Sequence, residues 1–140
     1  MANKILLGGI AGGIACFLLG WVIYGVALKN FYDSQTLIAG VNKDIPEMAT
    51  LIIANLAQGF LLALILGKWA KVSNLAEGMR ISIIVGLLIG LSFDFIMYST
   101  TNLMTMQAVL VDVLVTTVFV GIVGAIVTLI VRPTAKTVPA

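Results

Sequence analysis

Four stretches of this chain run for twenty or more residues with almost no charge, and short polar segments separate them. A helix needs about 20 residues to cross a ~30 Å hydrocarbon core. The pattern predicts four membrane-spanning helices, over Ile5–Leu28, Glu47–Gly67, Leu75–Tyr98 and Met104–Val131. Polar residues do not alternate with apolar ones inside these stretches, which rules against barrel strands. The boundaries carry helix punctuation. Asp44 and Pro46 suit the start of the second span, where Asp44 and Glu47 favour the positive end of the helix dipole. Asn74, with Glu77 three residues on, has the form of a capping box before the third. Arg132-Pro133 ends the fourth. The expected architecture is a single all-α domain over residues 1–140, a four-helix antiparallel up-and-down bundle.

Basic residues divide between the two sides of this scheme. Lys4, Lys68, Lys71, Arg80, Arg132 and Lys136 fall on one side. Lys29 and Lys43 fall on the other, offset by Asp33, Asp44 and Glu47. The positive-inside rule then places both termini and the Lys68–Arg80 loop in the cytoplasm, as in a multi-pass protein of the cell inner (plasma) membrane. The Lys29–Pro46 loop faces outward, and within it Thr36-Leu37-Ile38-Ala39 suits either a short interfacial helix or a plain linker. A chain starting at Met1 is expected to have lost no signal peptide.

Small residues recur at four-residue steps, which a helix places on one face. The first span has Gly8, Gly12, Cys16, Gly20 and Tyr24, and the third has Gly86, Gly90, Asp94 and Tyr98. Asn55, Gly59, Ala63 and Gly67 repeat the spacing on the second. Glycine faces let helix backbones approach closely, which matters in lipid, where helices gain nothing from hiding from water. Gly8, Gly12, Gly20, Gly86 and Gly90 are therefore expected to be helix-packing positions.

Composition narrows the function. The chain is 61% hydrophobic and 10% charged, so the bilayer is its main partner. The net charge of +2 is scattered near helix ends, with no basic stripe for nucleic acid. With no histidine, Ser-His-Asp catalysis, histidine-bound haem and histidine-bound zinc are excluded. The single cysteine, Cys16, excludes a Cys-x-x-Cys redox enzyme and reads as a packing residue. No nucleophile–base pair is evident either. The expectation is a non-enzymatic protein with no cofactor and no metal centre.

Against this background Asp94 and Asp112 stand out, since ionisable residues inside a membrane span are rare and usually functional. Each lies nine residues from Leu103 in the turn between the third and fourth spans. In an antiparallel hairpin they would sit at one depth, roughly 8–12 Å below the outer helix ends at ~1.5 Å per residue. Trp21 and Tyr24 on the first span, Asn55 and Gln58 on the second, and Tyr98 on the third reach the same layer. Two neighbouring carboxylates can share a proton or hold a cation, with amide and phenol oxygens as further ligands. The expected function is a polar site in the outer leaflet half that binds or passes a proton, cation or small ligand, in a homo-oligomer. Two alternatives stay open. The polar residues could be structural glue and interfacial aromatics, or the chain could be an accessory or scaffolding subunit that docks a larger membrane complex through its glycine faces.

The sequence also resembles a family of small bacterial four-helix integral membrane proteins known as a domain of unknown function. The resemblance lies in Phe17-Leu18-Leu19-Gly20-Trp21-Val22-Ile23-Tyr24-Gly25, in Gly86-Leu87-Leu88-Ile89-Gly90-Leu91-Ser92-Phe93, and in Leu110-Val111-Asp112 with Gly121-Ile122-Val123-Gly124. The chain departs from that family in separating Trp21 from Tyr24, which its members carry side by side. The resemblance implies the four-helix architecture and assigns no activity.

Overall fold

The computed structural model describes residues 2–133, so Lys136 lies outside the described residues. Five helices occupy this length. The first, α1, runs Ala2–Gly20 and continues as a π-helical stretch, Trp21–Ala27. A short helix α2 covers Lys29–Gln35. Then come α3, Met48–Ala63, with its own π-helical extension Leu64–Trp69, α4, Leu75–Thr100, and α5, Met106–Val131. Four are long and apolar enough to cross a membrane, over Ala2–Ala27, Met48–Trp69, Leu75–Thr100 and Met106–Val131.

The ends follow local chemistry. Asn74 Oδ1 accepts from the Glu77 amide at 3.0 Å. Glu77 returns the contact one residue earlier than a capping box would, accepting from the Ser73 amide at 2.8 Å. Thr105 caps α5 by accepting from the Ala108 amide at 3.2 Å. At α3, Glu47 is the capping residue, so Asp44 and Pro46 lie before the helix and not in its first turn. Of the two readings of Thr36–Ala39 the linker holds, and the short outer-loop helix lies just before it. It forms at Lys29–Gln35, where Lys29 and Asp33 make an ion pair one turn apart. Thr36 itself is extended and forms an antiparallel bridge with Met104.

Packing centres on α5, which meets α1, α3 and α4, whereas α4 has α5 as its only extensive partner. Glycines set the close contacts. On the α4–α5 seam Gly78 lies against Thr128, Gly86 against Val120 and Thr116, and Gly90 against Val113; from the α5 side Gly124 lies against Ser82. Residue numbers rise along α4 as they fall along α5. On the α1–α3 seam Gly9 lies against Phe60, Gly12 against Gly59, and Gly13 against Leu56. Gly8 and Gly12 also face Val127 of α5. Cys16 is fully buried in the same core, with Leu62, Leu66, Val120, Val123 and Val127. The outward faces are as apolar as the core. Ile53, Leu88, Phe93 and Leu114 are all exposed, as expected where the surroundings are lipid and not water.

Gly20 departs from its expected role. A Cβ there would meet nothing within 4 Å, so this position opens a space instead of closing a helix contact. Gly20 is the last residue of α1 and lines a cavity, and beyond it the backbone turns π-helical at Trp21. A wider turn rotates the following side chains off the four-residue face.

Candidate functional site

The site is assembled where α1 finishes and α5 begins. Gly86 and Gly90 let α4 lie close on α5, with the Gly90 Cβ position 3.2 Å from the Val113 Cα. One turn beyond Gly90 the two short acidic side chains can therefore meet. Asp94 and Asp112 face each other within the distance at which a proton on one carboxyl would bond the other. Asp94 is 8% exposed, and its Oδ2 has no hydrogen-bond partner among the described residues. No lysine or arginine is among the groups acting on it.

Three hydroxyls surround the pair. Tyr32 of α2 donates to Asp112 Oδ1 at 2.5 Å. Tyr24, in the π-helical end of α1, has its hydroxyl 3.5 Å from Thr116 Oγ1 and within hydrogen-bonding reach of Asp112. Thr116 lies one turn along α5 from Asp112, on the same face. The Tyr24 and Tyr32 rings lean together with centroids 5.5 Å apart, and Phe31 meets Tyr32 edge-on at 5.4 Å. Helix α2 is fixed over the site by the neighbouring turn. The Leu37 amide donates to the Leu103 carbonyl at 2.9 Å, and the Thr105 amide to the Gln35 carbonyl at 3.2 Å. Thr105 Oγ1 also donates to Gln35 Oε1.

Burial first, and then the Asp112 carboxylate that accepts its proton, hold the Tyr32 phenol above the ordinary tyrosine range. A folded-state value raised above the unfolded ~10 gives stabilisation that is complete below ~10 and is lost as pH rises past it. Tyr32→Phe is therefore expected to lose less stability than the parent between neutral pH and pH ~11. Detergent-solubilised unfolding midpoints across that range test it, and an identical alkaline loss in both proteins would refute it.

The remaining expected site residues divide. Trp21, Asn55 and Gln58 share with Tyr24 the wall of a cavity of about 660 Å³, between the end of α1, the start of α3 and the middle of α5. Phe17, Gly20, Thr116 and Phe119 complete much of that wall, and Pro46 and Met48 mark where it reaches the start of α3. The Asn55 amide also donates to the Leu51 carbonyl of its own helix at 2.7 Å. Tyr98 is 40% exposed on the last turns of α4 and is no part of the cavity wall. The polar layer is thus two adjoining places, a carboxylate pair and a cavity, with Tyr24 and Thr116 common to both.

Tyr32 is the main participant that sequence reasoning missed. Its signal was the Lys29–Asp33 spacing, an i,i+4 charge pair that marks a helical turn and sets Tyr32 on it. The chain matches no protein family, and no curated protein or solved structure is significantly similar to it.

Proposed function

We propose that this chain is a multi-pass, non-enzymatic protein of the cell inner membrane whose carboxylate pair, in the outer half, binds or passes a proton or cation. One observation carries the reading: the Asp94 carboxylate is buried beside that of Asp112, with one oxygen unpartnered and no basic side chain acting on it. In a low-dielectric site, two adjacent carboxylates hold one negative charge far more readily than two. A shared proton or a bound cation supplies the balance, and Tyr24, Tyr32 and Thr116 offer oxygens to either.

The orientation belongs to the same proposal. The Lys4 ammonium donates to the Arg132 carbonyl at 2.7 Å, which supports a common side for the first and last spans. With Lys68, Lys71 and Arg80 assigned to that side, the positive-inside rule makes it cytoplasmic and makes the bundle antiparallel. Assembly into a homo-oligomer or a larger membrane complex fits α4, which leaves Leu88 and Phe93 outward. Docking a partner through the glycine faces has less to use, because Gly8, Gly12, Gly86 and Gly90 already lie against helices of this chain.

Infrared difference spectroscopy of the protein in liposomes tests the site. The expected result is a protonated-carboxyl band at neutral pH that responds to added sodium. In Asp94→Asn the remaining carboxyl signal should shift, because the pair has been uncoupled. Two carboxylates that ionise independently near the ordinary ~4 and ignore cations would overturn the proposal.

A further inference from the structure

We infer that the cavity beside the carboxylate pair is a binding site for a lipophilic organic cation, with aromatic rings receiving its apolar body and the aspartates serving as counter-charge. The inference rests on the carboxylate-pair reading and gives that site a ligand class. Size comes first: about 660 Å³ lies within the ~300–1,000 Å³ that small-molecule sites occupy. Phe17, Trp21, Tyr24 and Phe119 bring four aromatic rings to one cavity. Aromatic faces attract cations, and a cation of diffuse charge gives up its water most cheaply to reach them.

Charge supplies the second argument. No lysine or arginine lines the cavity, so it offers an anion no counter-charge. Behind Tyr24 and Thr116 lie two carboxylates, and the Asp94 Oδ2 is unpartnered and buried. A positive ligand in the cavity would stand one hydroxyl layer from them. Inorganic ions fit this place poorly, since the wall is mainly apolar and its amides come only from Asn55 and Gln58.

Access supplies the third. A smaller apolar crevice of about 240 Å³ lies between α1 and α3, and it shares Phe17 and Asn55 with the cavity. Its other walls include Ile14, Leu18 and Ile52, all of them exposed on the bundle's outer faces. A ligand dissolved in the bilayer could enter from the side, which again selects a lipophilic one.

Trp21 is a built-in reporter. The chain has two tryptophans, and Trp69 is not among the residues of the cavity wall. In a Trp69→Phe background, the full chain in lipid nanodiscs is titrated with tetraphenylphosphonium and, separately, with tetraphenylborate, an anion of the same shape. Saturable quenching of Trp21 by the cation alone is expected. The double substitution Asp94→Asn/Asp112→Asn should weaken it at least about tenfold, as losing one side of a desolvated charge pair does, whereas either single one leaves a carboxylate to bear the charge. Gly20→Leu should abolish it, because the new side chain projects into open space and fills the cavity. Equal binding of the anion, or cation binding indifferent to both aspartates, would overturn the inference. No binding with the coupled infrared signature intact would overturn it too, leaving a site for protons or inorganic ions. No binding together with loss of that signature would remove the carboxylate-pair reading as well.

Discussion

Gly59→Leu is expected to separate α1 from α3 and cost about 3 kcal/mol or more, the upper end of what overpacking does. The reason lies in which atoms the new side chain meets. A Cβ at Gly59 would come 2.2 Å from the Gly13 amide nitrogen, 2.4 Å from the Gly9 carbonyl oxygen and 2.7 Å from the Gly12 carbonyl carbon. All three belong to the backbone of α1, so no rotamer change relieves the clash. Only a displacement of one helix against the other does, and that would also open the core around Leu62 and Cys16. Gly20→Ala is the matched control, since its Cβ would meet open space, and a change within about 0.5 kcal/mol is expected. Reversible unfolding in mixed micelles measures both. Equal behaviour of the two variants would mean that the α1–α3 contact does not hold the bundle.

Asp112→Ala should have the largest effect of any single change at the polar site. Asp112 is the one residue that meets partners from α1, α2 and α4 at once. Its loss leaves the Tyr32 hydroxyl without its acceptor and Asp94 without its partner. A hydrogen bond to a charged group contributes about 1.5–3 kcal/mol, and the upper half of that range is expected here because two tyrosines are affected. The effect should be local. Amide exchange across Lys29–Gln35 should speed up markedly, while α5 itself, an uninterrupted helix packed on three others, keeps its protection. Unchanged exchange in α2 would show that the Leu37–Leu103 and Thr105–Gln35 contacts hold that helix without Asp112.

The four membrane helices could be read from the chain because the bilayer imposes a length and excludes charge, and both constraints are visible residue by residue. Asn74 and Arg132 mark helix boundaries by local rules, and in the structure they begin α4 and close α5. Counting residues from the turn set Asp94 and Asp112 level, but their meeting depends on the close approach of α4 to α5 at Gly86 and Gly90, which counting does not give. Other features depended on information that a periodic pattern does not carry. Gly20 and Tyr24 follow the four-residue step on paper, but the π-helical turn between them changes the angle per residue. Tyr32 lies in a seven-residue helix, too short to show a face. It reaches Asp112 only because the chain after it is pinned to the distant Leu103–Thr105 turn. Tyr98 shares a stripe with Asp94 but sits a turn beyond it near the end of α4, and it stays partly exposed.

The central place of α5 has a consequence for how the molecule comes into being. Of the four spans, it is the last to leave the ribosome. While it is being made, α1 and α3 can already pair through Gly9, Gly12, Gly13 and Gly59. In contrast, α4 has nothing to rest on, and Asp94 enters the bilayer without Asp112, while Tyr24 and Tyr32, already made, still lack the α5 residues they gather on. At ~5–20 residues per second, the 26 residues of α5 keep it waiting roughly 1–5 s. During that interval a half-made chain displays an acidic, glycine-lined helix to the insertion machinery, so the nascent protein is at its most vulnerable to quality control just before α5 arrives.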